Sequence, residues 1–334
     1  MNAPLPQGVL LEDSVAGQPR KLLVRAIRMQ AEGIHAFELV HPDGDELPPV
    51  QAGAHVDVHL PGGVIRSYSL AGNPMDRSCW TLGVLRESNG RGGSQAMHES
   101  VRVGAPLTVG WPRNVFTLAD TATYTILLAG GIGITPLKAM AHVLASRGDS
   151  FDLYYCAKTV RHAAFLNELN AIVPPGHLHL HHDGGDASKS FDIAGLLANP
   201  EPDTHVYFCG PTGFMKACTE ATRHWSEGTV HSEHFKVPDR PASNVVPAGS
   251  FEVKLARSGG SVLVAPDQTI VRALELAGHR IPTSCLSGLC GTCKVNYLEG
   301  EVDHQDYILS DEEKKHCMTA CVSRSMSNCL VLDI

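Results

Sequence analysis

Cys285, Cys290 and Cys293 stand in the pattern C-x4-C-x2-C, and Cys321 follows 28 positions after Cys293. Three thiolates from one tight loop and a fourth from a distant segment is the ligand spacing of a [2Fe–2S] cluster. The loop CLSGLCGTC must curl around an anionic group with its amides facing inward, and Gly288 and Gly291 supply residues that tolerate the dihedrals this demands. A structural zinc site is the alternative. Zinc sites usually take paired C-x2–4-C knuckles, and only one such close pair is present here. Cys317, in HCMTAC, competes with Cys321 for the fourth position. Cys79, Cys156, Cys218 and Cys329 read as buried apolar filler, whereas Cys209 falls in a second chemically suggestive place.

That place is Cys209-Gly210-Pro211, a loop after an apolar run and before a helical one. Gly130-Gly131-Ile132-Gly133-Ile134-Thr135-Pro136 has the same setting. Glycine turns at such positions let a pyrophosphate approach the backbone and meet a helix N-terminus. Thr135 is the expected N-cap and Pro136 suits the first turn. The strict G-x-G-x-x-G pattern is not met, because Pro136 occupies the place of the third glycine. Nearer the N-terminus, Arg66-Ser67-Tyr68-Ser69 lies on a strand, and Arg91-Gly92-Gly93-Ser94 opens a short helix. Arginine plus a glycine-rich helix start can hold one phosphate, and a tyrosine offers a face to a planar ring. By themselves these residues fit any phosphorylated aromatic ligand, or a plain barrel strand and tight turn. His177, His179 and His181 alternate along one strand; with no second ligand cluster they read as a polar strand face rather than a metal site.

Three kinds of segment must position these residues. Up to about Val109, the runs KLLVRAIR, HAFELV, HVDVHL, RSYSL, WTLGVL and PLTVG read as barrel strands cut by Gly and Pro. From Thr121 apolar strands alternate with helical segments, which predicts βαβ units and a mostly parallel sheet. KVPDRPASNVVPAGS, with three prolines, reads as a linker. A hairpin around Gly259-Gly260, the helix TIVRALELAG and the cysteine loop follow. The expected division is 1–118, 119–235, a linker over 236–250, and 251–334.

Composition bounds the rest. At roughly 150 residues per domain, 334 residues predict two or three domains. With 27 basic and 35 acidic residues the net charge is −8, which argues against nucleic acid as a partner. Apolar content of 43% excludes disorder as a description of the whole. The longest apolar run, Ile126 to Ile134, is too short to span a bilayer, and no export signal opens the chain. A cytoplasmic protein is expected, its clustered cysteines binding metal rather than forming disulfides.

Taken in order, Arg66-x-Tyr68-Ser69, GRGGS, GGIGITP, CGP and the cysteine loop resemble the phthalate dioxygenase reductase family, the reductases of Rieske-type oxygenases and demethylases, to which vanillate demethylase reductase is similar. The segment CLSGLCGTCK…CVSR resembles plant-type ferredoxin domains, and this resemblance favours Cys321 over Cys317. The resemblance spans all but the first dozen residues. It implies an antiparallel β-barrel binding FMN, an α/β parallel-sheet domain binding NAD, and an α+β (β-grasp) ferredoxin domain holding [2Fe–2S]. Residue by residue, it implies that Arg66, Tyr68 and Ser69 bind FMN through phosphate, ring and ring edge. Gly83, Val84 and Leu85 would line the flavin through their backbone, and Gly92, Gly93 and Ser94 would hold the phosphate. Thr135 and Phe235 would reach the flavin from the second domain; Gly131, Gly133, Cys209, Gly210 and Pro211 would face the dinucleotide.

The sequence departs from the pattern twice. Leu85 stands where a relative has lysine. Lys158-Thr159 stands where an Arg-Asp pair can occur, and Lys158 with Arg161 suits a 2′-phosphate, which leaves both NADH and NADPH open. FMN is expected rather than FAD, because the phosphate motif is compact and no aromatic loop is placed to stack an adenine. The function implied is electron transfer from NADH through FMN and [2Fe–2S] to a Rieske-type oxygenase, with no general acid, nucleophile or carboxylate pair required. An electron-transfer subunit built into a larger dehydrogenase complex is the alternative, and a zinc-stapled binding module with degenerate nucleotide sites is a third reading.

Overall fold

The computed structural model describes residues 19–90, 92–236 and 249–334. The expected linker therefore lies mostly outside the described residues, as does Arg91.

The N-terminal sheet contains β1 (Arg20–Ala31), β2 (Ile34–Val40), β3 (His55–Leu60), β4 (Val64–Ser69), β5 (Trp80–Leu85) and β6 (Pro106–Val109). Its spatial order is β4-β3-β6-β1-β2-β5, with antiparallel pairing throughout. A bridge between Leu70 and Leu82 ties the two edge strands together, curling the sheet toward a barrel. Alternation drives this: Leu22, Val24, Val56, Val58, Leu82 and Val84 point inward and form one apolar cluster. Helix α1 (Gly93–Ser100) plugs the barrel with Met97, and its entry turn depends on Gly92, whose φ of 78° suits glycine.

The second sheet is β7 (Tyr124–Gly130), β8 (Phe151–Ala157), β9 (Leu178–His182), β10 (Thr204–Cys209) and β11 (Val230–Glu233), all parallel, in the order β11-β10-β7-β8-β9. Helices α2 (Ile134–Arg147) and α3 (Leu166–Ile172) pack with the cluster containing Leu127, Leu153 and Tyr155; α4 (Ile193–Leu197) and α5 (Thr212–Ala221) pack with that of Leu128, Val206 and Phe208. The strand order reverses between β7 and β10, where such folds place their ligand crevice.

The first two sheets are not separate bodies. Ala36, Ala52, Ala71 and Phe116 belong to the same apolar cluster as Leu137, Met140 and Tyr155. Lys138 crosses the seam fully buried, donating to the Ala71 carbonyl at 2.8 Å and pairing with Glu168 at 2.6 Å.

One expectation at the glycine loop is corrected. Thr135 does not cap α2. A 3-10 turn over Gly131–Gly133 runs straight into the helix, so Thr135 lies inside its first turn and its hydroxyl donates back to the Ile132 carbonyl at 3.0 Å.

The C-terminal part holds β12 (Phe251–Leu255), β13 (Ser261–Val264), α6 (Ile270–Leu276), β14 (Lys294–Glu299), β15 (Val302–Asp303), α7 (Asp311–Lys314), β16 (Cys317–Thr319), β17 (Arg324–Ser325) and β18 (Cys329–Leu332). Its main sheet runs β13-β12-β18-β14-β16, with β12 and β18 parallel and the other neighbours antiparallel. Phe251, Val253, Ile270, Leu274, Met318 and Leu330 give it a core of its own. The cysteine loop joins α6 to β14 without regular structure.

Candidate functional site

All three parts border one cavity of about 540 Å³. From the barrel come Arg66, Ser67, Tyr68, Ser69, Gly83, Leu85, Gly93 and Ser94; from the parallel-sheet part come Ile132, Thr135, Glu233 and Phe235; from the cysteine loop come Cys285, Ser287, Leu289 and Cys290. Arg66 lies across the start of α1, so close that a Cβ on Gly93 would sit 2.4 Å from its Cγ. Thr135 reaches Gly83 in the same way, at 2.6 Å from a notional Cβ. Each glycine is thus a place where a second element must approach the backbone. Burial pushes the Tyr68 hydroxyl up to about 12, so the ring stays neutral. The Ser94 hydroxyl accepts from the Glu87 amide at 3.0 Å, and Lys236 pairs with Glu87 at 3.0 Å beside Phe235. Val84 does not join this wall: its side chain is in the barrel core, and its carbonyl is bonded to His98 Nε2 at 2.9 Å.

The two loops of the parallel sheet meet beside the cavity. A Cβ on Gly133 would lie 2.1 Å from the Cys209 carbonyl oxygen, and one on Gly210 would lie 3.0 Å from Gly130 Cα. Gly131, at φ 54°, makes the turn between them, and Pro211 packs 2.9 Å from a notional Cβ on Gly130. Cys209 is buried, and burial with the nearby Glu233 raises its thiol well above the ordinary range. It is therefore a neutral thiol, not a nucleophile.

The four cysteines come together. Cys285 lies within hydrogen-bonding reach of Cys290 and of Cys321, and Cys321 of Cys293. Among the described residues no group of three or more such side chains is arranged to hold a single metal ion, whereas a two-iron cluster divides its four ligands between two irons. The amides of Ser287 and Leu289 point at Cys285 Sγ, both at 3.4 Å, and the Gly288 backbone bonds to Cys321. Amides aimed at sulfur fit a negatively charged cluster. The turn needs positive φ at Leu286, Gly288 and Gly291, and at Gly288 a Cβ would strike Val322 at 2.8 Å. Cys317 stands apart, donating to Asn296 Oδ1 at 3.1 Å.

Three buried polar residues escaped the sequence reading. Glu233, at the end of β11, accepts from Ser69 Oγ at 3.3 Å, and burial pushes its carboxyl up to about 8. His55 Nδ1 is 4.0 Å away, and burial, with Arg113, lowers its imidazole to about 4. Near pH 7 both are neutral, so their proximity is not an ion pair. Asp57 behaves oppositely: burial opposes its charge, but Arg113 and hydrogen bonds from Ser284 and Ser67 outweigh it and keep it ionised. Nothing in the one-letter sequence marks these residues, since each looks like an outward-facing strand position. The histidines on and just before β9 are polar partners in the described structure. His177 and His179 bond to Asp152 at 2.9 and 3.0 Å, and His181 to the Lys189 carbonyl at 2.7 Å.

No helix of the described residues is long and apolar enough to cross a membrane. Residues 253–326 match the 2Fe-2S iron-sulfur cluster binding domain family, and residues 127–220 the oxidoreductase NAD-binding domain family. The reductase subunit of tert-butanol monooxygenase / tert-amyl alcohol desaturase from Aquincola tertiaricarbonis is 47% identical, over 94% of this chain and 95% of its own. The solved structure of phthalate dioxygenase reductase is 40% identical with a TM-score of 0.70, covering 95% of this chain and 98% of that one. An intact type IV self-sufficient cytochrome P450 monooxygenase matches at 37% identity and TM-score 0.87; this chain covers 41% of that longer one. The barrel, the parallel sheet with its paired loops, and the four-cysteine loop are thus parts of one established architecture, and the chain belongs to the phthalate dioxygenase reductase family, the pyridine-nucleotide-dependent flavin and [2Fe–2S] reductases of oxygenase systems.

Proposed function

We propose that the chain passes electrons from NADH through FMN and [2Fe–2S] to a Rieske-type oxygenase in the cytoplasm, with residues 1–118, 119–235 and 251–334 as the flavin, nucleotide and ferredoxin domains and 236–250 as the linker. The observation that carries this reading is the single cavity walled by Arg66, Tyr68, Thr135 and Cys285 together. When bound, the flavin accepts two electrons as hydride and releases them singly to the cluster, which takes one at a time.

The chain's own residues supply placement. Arg66, with Gly92, Gly93 and Ser94 at the start of α1, holds the phosphate through a guanidinium fork and helix amides. Tyr68 gives the ring a face, Ser69 bonds its edge, and Gly83 and Leu85 border it. Thr135 and Phe235 close the cavity from the nucleotide side. Gly131 leaves open space for the pyrophosphate, Gly133 lets the Cys209 backbone close in beside it, and Cys209, Gly210 and Pro211 floor the nicotinamide position. Cys285, Cys290, Cys293 and Cys321 ligate the cluster, the first two nearest the flavin.

The test is direct. Flavin released by denaturation should have the mass of FMN, and NADH should bleach both flavin and cluster absorption. Reconstitution with a panel of Rieske oxygenases should yield NADH-driven turnover. Recovery of FAD would overturn the flavin assignment, and turnover with none of the panel would count against the Rieske partner.

A further inference from the structure

Asp57 sits on β3 with its side chain on the barrel's outer face, where a carboxylate is normally solvated, yet it is 5% exposed. The cysteine loop covers it. Asp57 Oδ1 accepts from Ser284 Oγ at 2.6 Å and from Ser67 Oγ at 2.7 Å, while Oδ2 accepts from Arg113 Nη2 at 2.7 Å. Ser284 directly precedes Cys285, and Ser67 lies between Arg66 and Tyr68. One carboxylate therefore touches both the cluster loop and the flavin strand. Beside it Gly291 packs on Val115, at 3.3 Å from a notional Cβ.

We propose that Asp57 is a positioning residue, an anchor on the barrel that seats Ser284 and thereby sets how closely Cys285 approaches the flavin. The inference rests on the electron path proposed above. The chemistry suits a seat that can also release. A buried carboxylate needs its lone pairs satisfied, and Ser67 and Arg113 remain on Asp57 when Ser284 leaves. Undocking then strands no charge on the barrel, and the hydroxyl lost from Ser284 is replaced by water. A hydrogen bond to a charged acceptor adds direction as well as strength, and positioning errors of an ångström are costly to a transfer step.

The experiment uses the full chain loaded with flavin and cluster. Ser284→Asp places a second carboxylate against Asp57, Ser284→Thr keeps the hydroxyl, and Asp57→Asn combined with Ser284→Asp restores a donor–acceptor pair. Stopped-flow absorbance follows flavin and cluster reduction separately, and hydrogen exchange follows the covered barrel segments around Asp57 and Arg113. Like charges in contact should slow flavin-to-cluster transfer by about tenfold or more. Exchange in the covered segments should rise, while the cluster spectrum and NADH-to-flavin rate stay as in the unsubstituted protein. Ser284→Thr should behave as the unsubstituted protein does, and the double variant should return to within about threefold of it.

An unchanged transfer rate in Ser284→Asp overturns the proposal. So does a loss of cluster absorption with raised exchange throughout β12 and β18, which would make Ser284 a folding residue. A double variant no better than Ser284→Asp alone overturns it as well. If NADH fails to bleach the flavin in the unsubstituted protein, the electron path itself falls, and the anchor with it.

Discussion

Glu233→Gln isolates one proton. The glutamine keeps the shape and can still accept from Ser69, but it cannot ionise. In the folded chain burial holds the Glu233 carboxyl at about 8, against an ordinary value of 4.5. The folded state therefore binds this proton more tightly than the unfolded one. Its stabilising effect is complete below pH 4.5 and is lost progressively as pH rises to about 8. The two values lie about 3.5 apart, and each pH unit is worth about 1.4 kcal/mol, so the loss is at most on the order of 5 kcal/mol for this carboxyl, which keeps a small exposure where it borders the cavity. The variant lacks this slope. Urea unfolding of both proteins at pH 5 and pH 9 reads it as a difference of differences, in which every other titrating group cancels. Relative to the parent, the glutamine form should gain several kcal/mol between the two pH values. An equal gap at both would show that Glu233 titrates normally, and the buried, neutral carboxyl beside Ser69 would have to be abandoned.

Cys321→Ser should abolish the iron–sulfur absorption, whereas Cys317→Ser, which loses only a thiol bonded to Asn296, should leave it intact; visible and EPR spectra decide between them. Gly133→Ala drives a methyl to 2.1 Å from the Cys209 carbonyl, a backbone clash that must part the two loops. It should cost about 1–3 kcal/mol of stability and raise the KM for NADH, measured by thermal melting and flavin reduction kinetics. A chain ending at residue 235 should fold, bind flavin and pass electrons from NADH to an artificial acceptor. It should fail with the oxygenase partner, and comparable partner turnover would remove the cluster from the path.

The strands and the helices α2 and α6 were legible because each carries a strong local signal: two-residue alternation in HVDVHL and WTLGVL, and apolar residues at helical spacing in PLKAMAHVLA and IVRALEL. The cysteine loop was legible because metal geometry restricts spacing. The start of α2 was misread, since Thr135 has the right type for a cap but a 3-10 turn takes the preceding residues into the helix first. His55, Asp57 and Glu233 were invisible for a different reason. Their burial comes from elements far away in sequence: Arg113 and Ser284 for Asp57, Ser69 for Glu233. No window of residues reports a neighbour that only folding supplies.

The apolar cluster that runs unbroken from Ala36 and Ala71 to Leu137 and Tyr155 has a consequence for recombination. A foreign nucleotide domain grafted onto this barrel would meet a face shaped for α2 and leave the Ala71 carbonyl without Lys138. The barrel and the parallel-sheet part therefore pack as one unit, and exchanging either alone would break that seam. The ferredoxin part, closed around Phe251, Leu274 and Leu330, makes no such demand. A replacement for it would have to meet the seat at Asp57, the contact of Gly291 with Val115, and the cavity wall formed by Cys285, Ser287, Leu289 and Cys290.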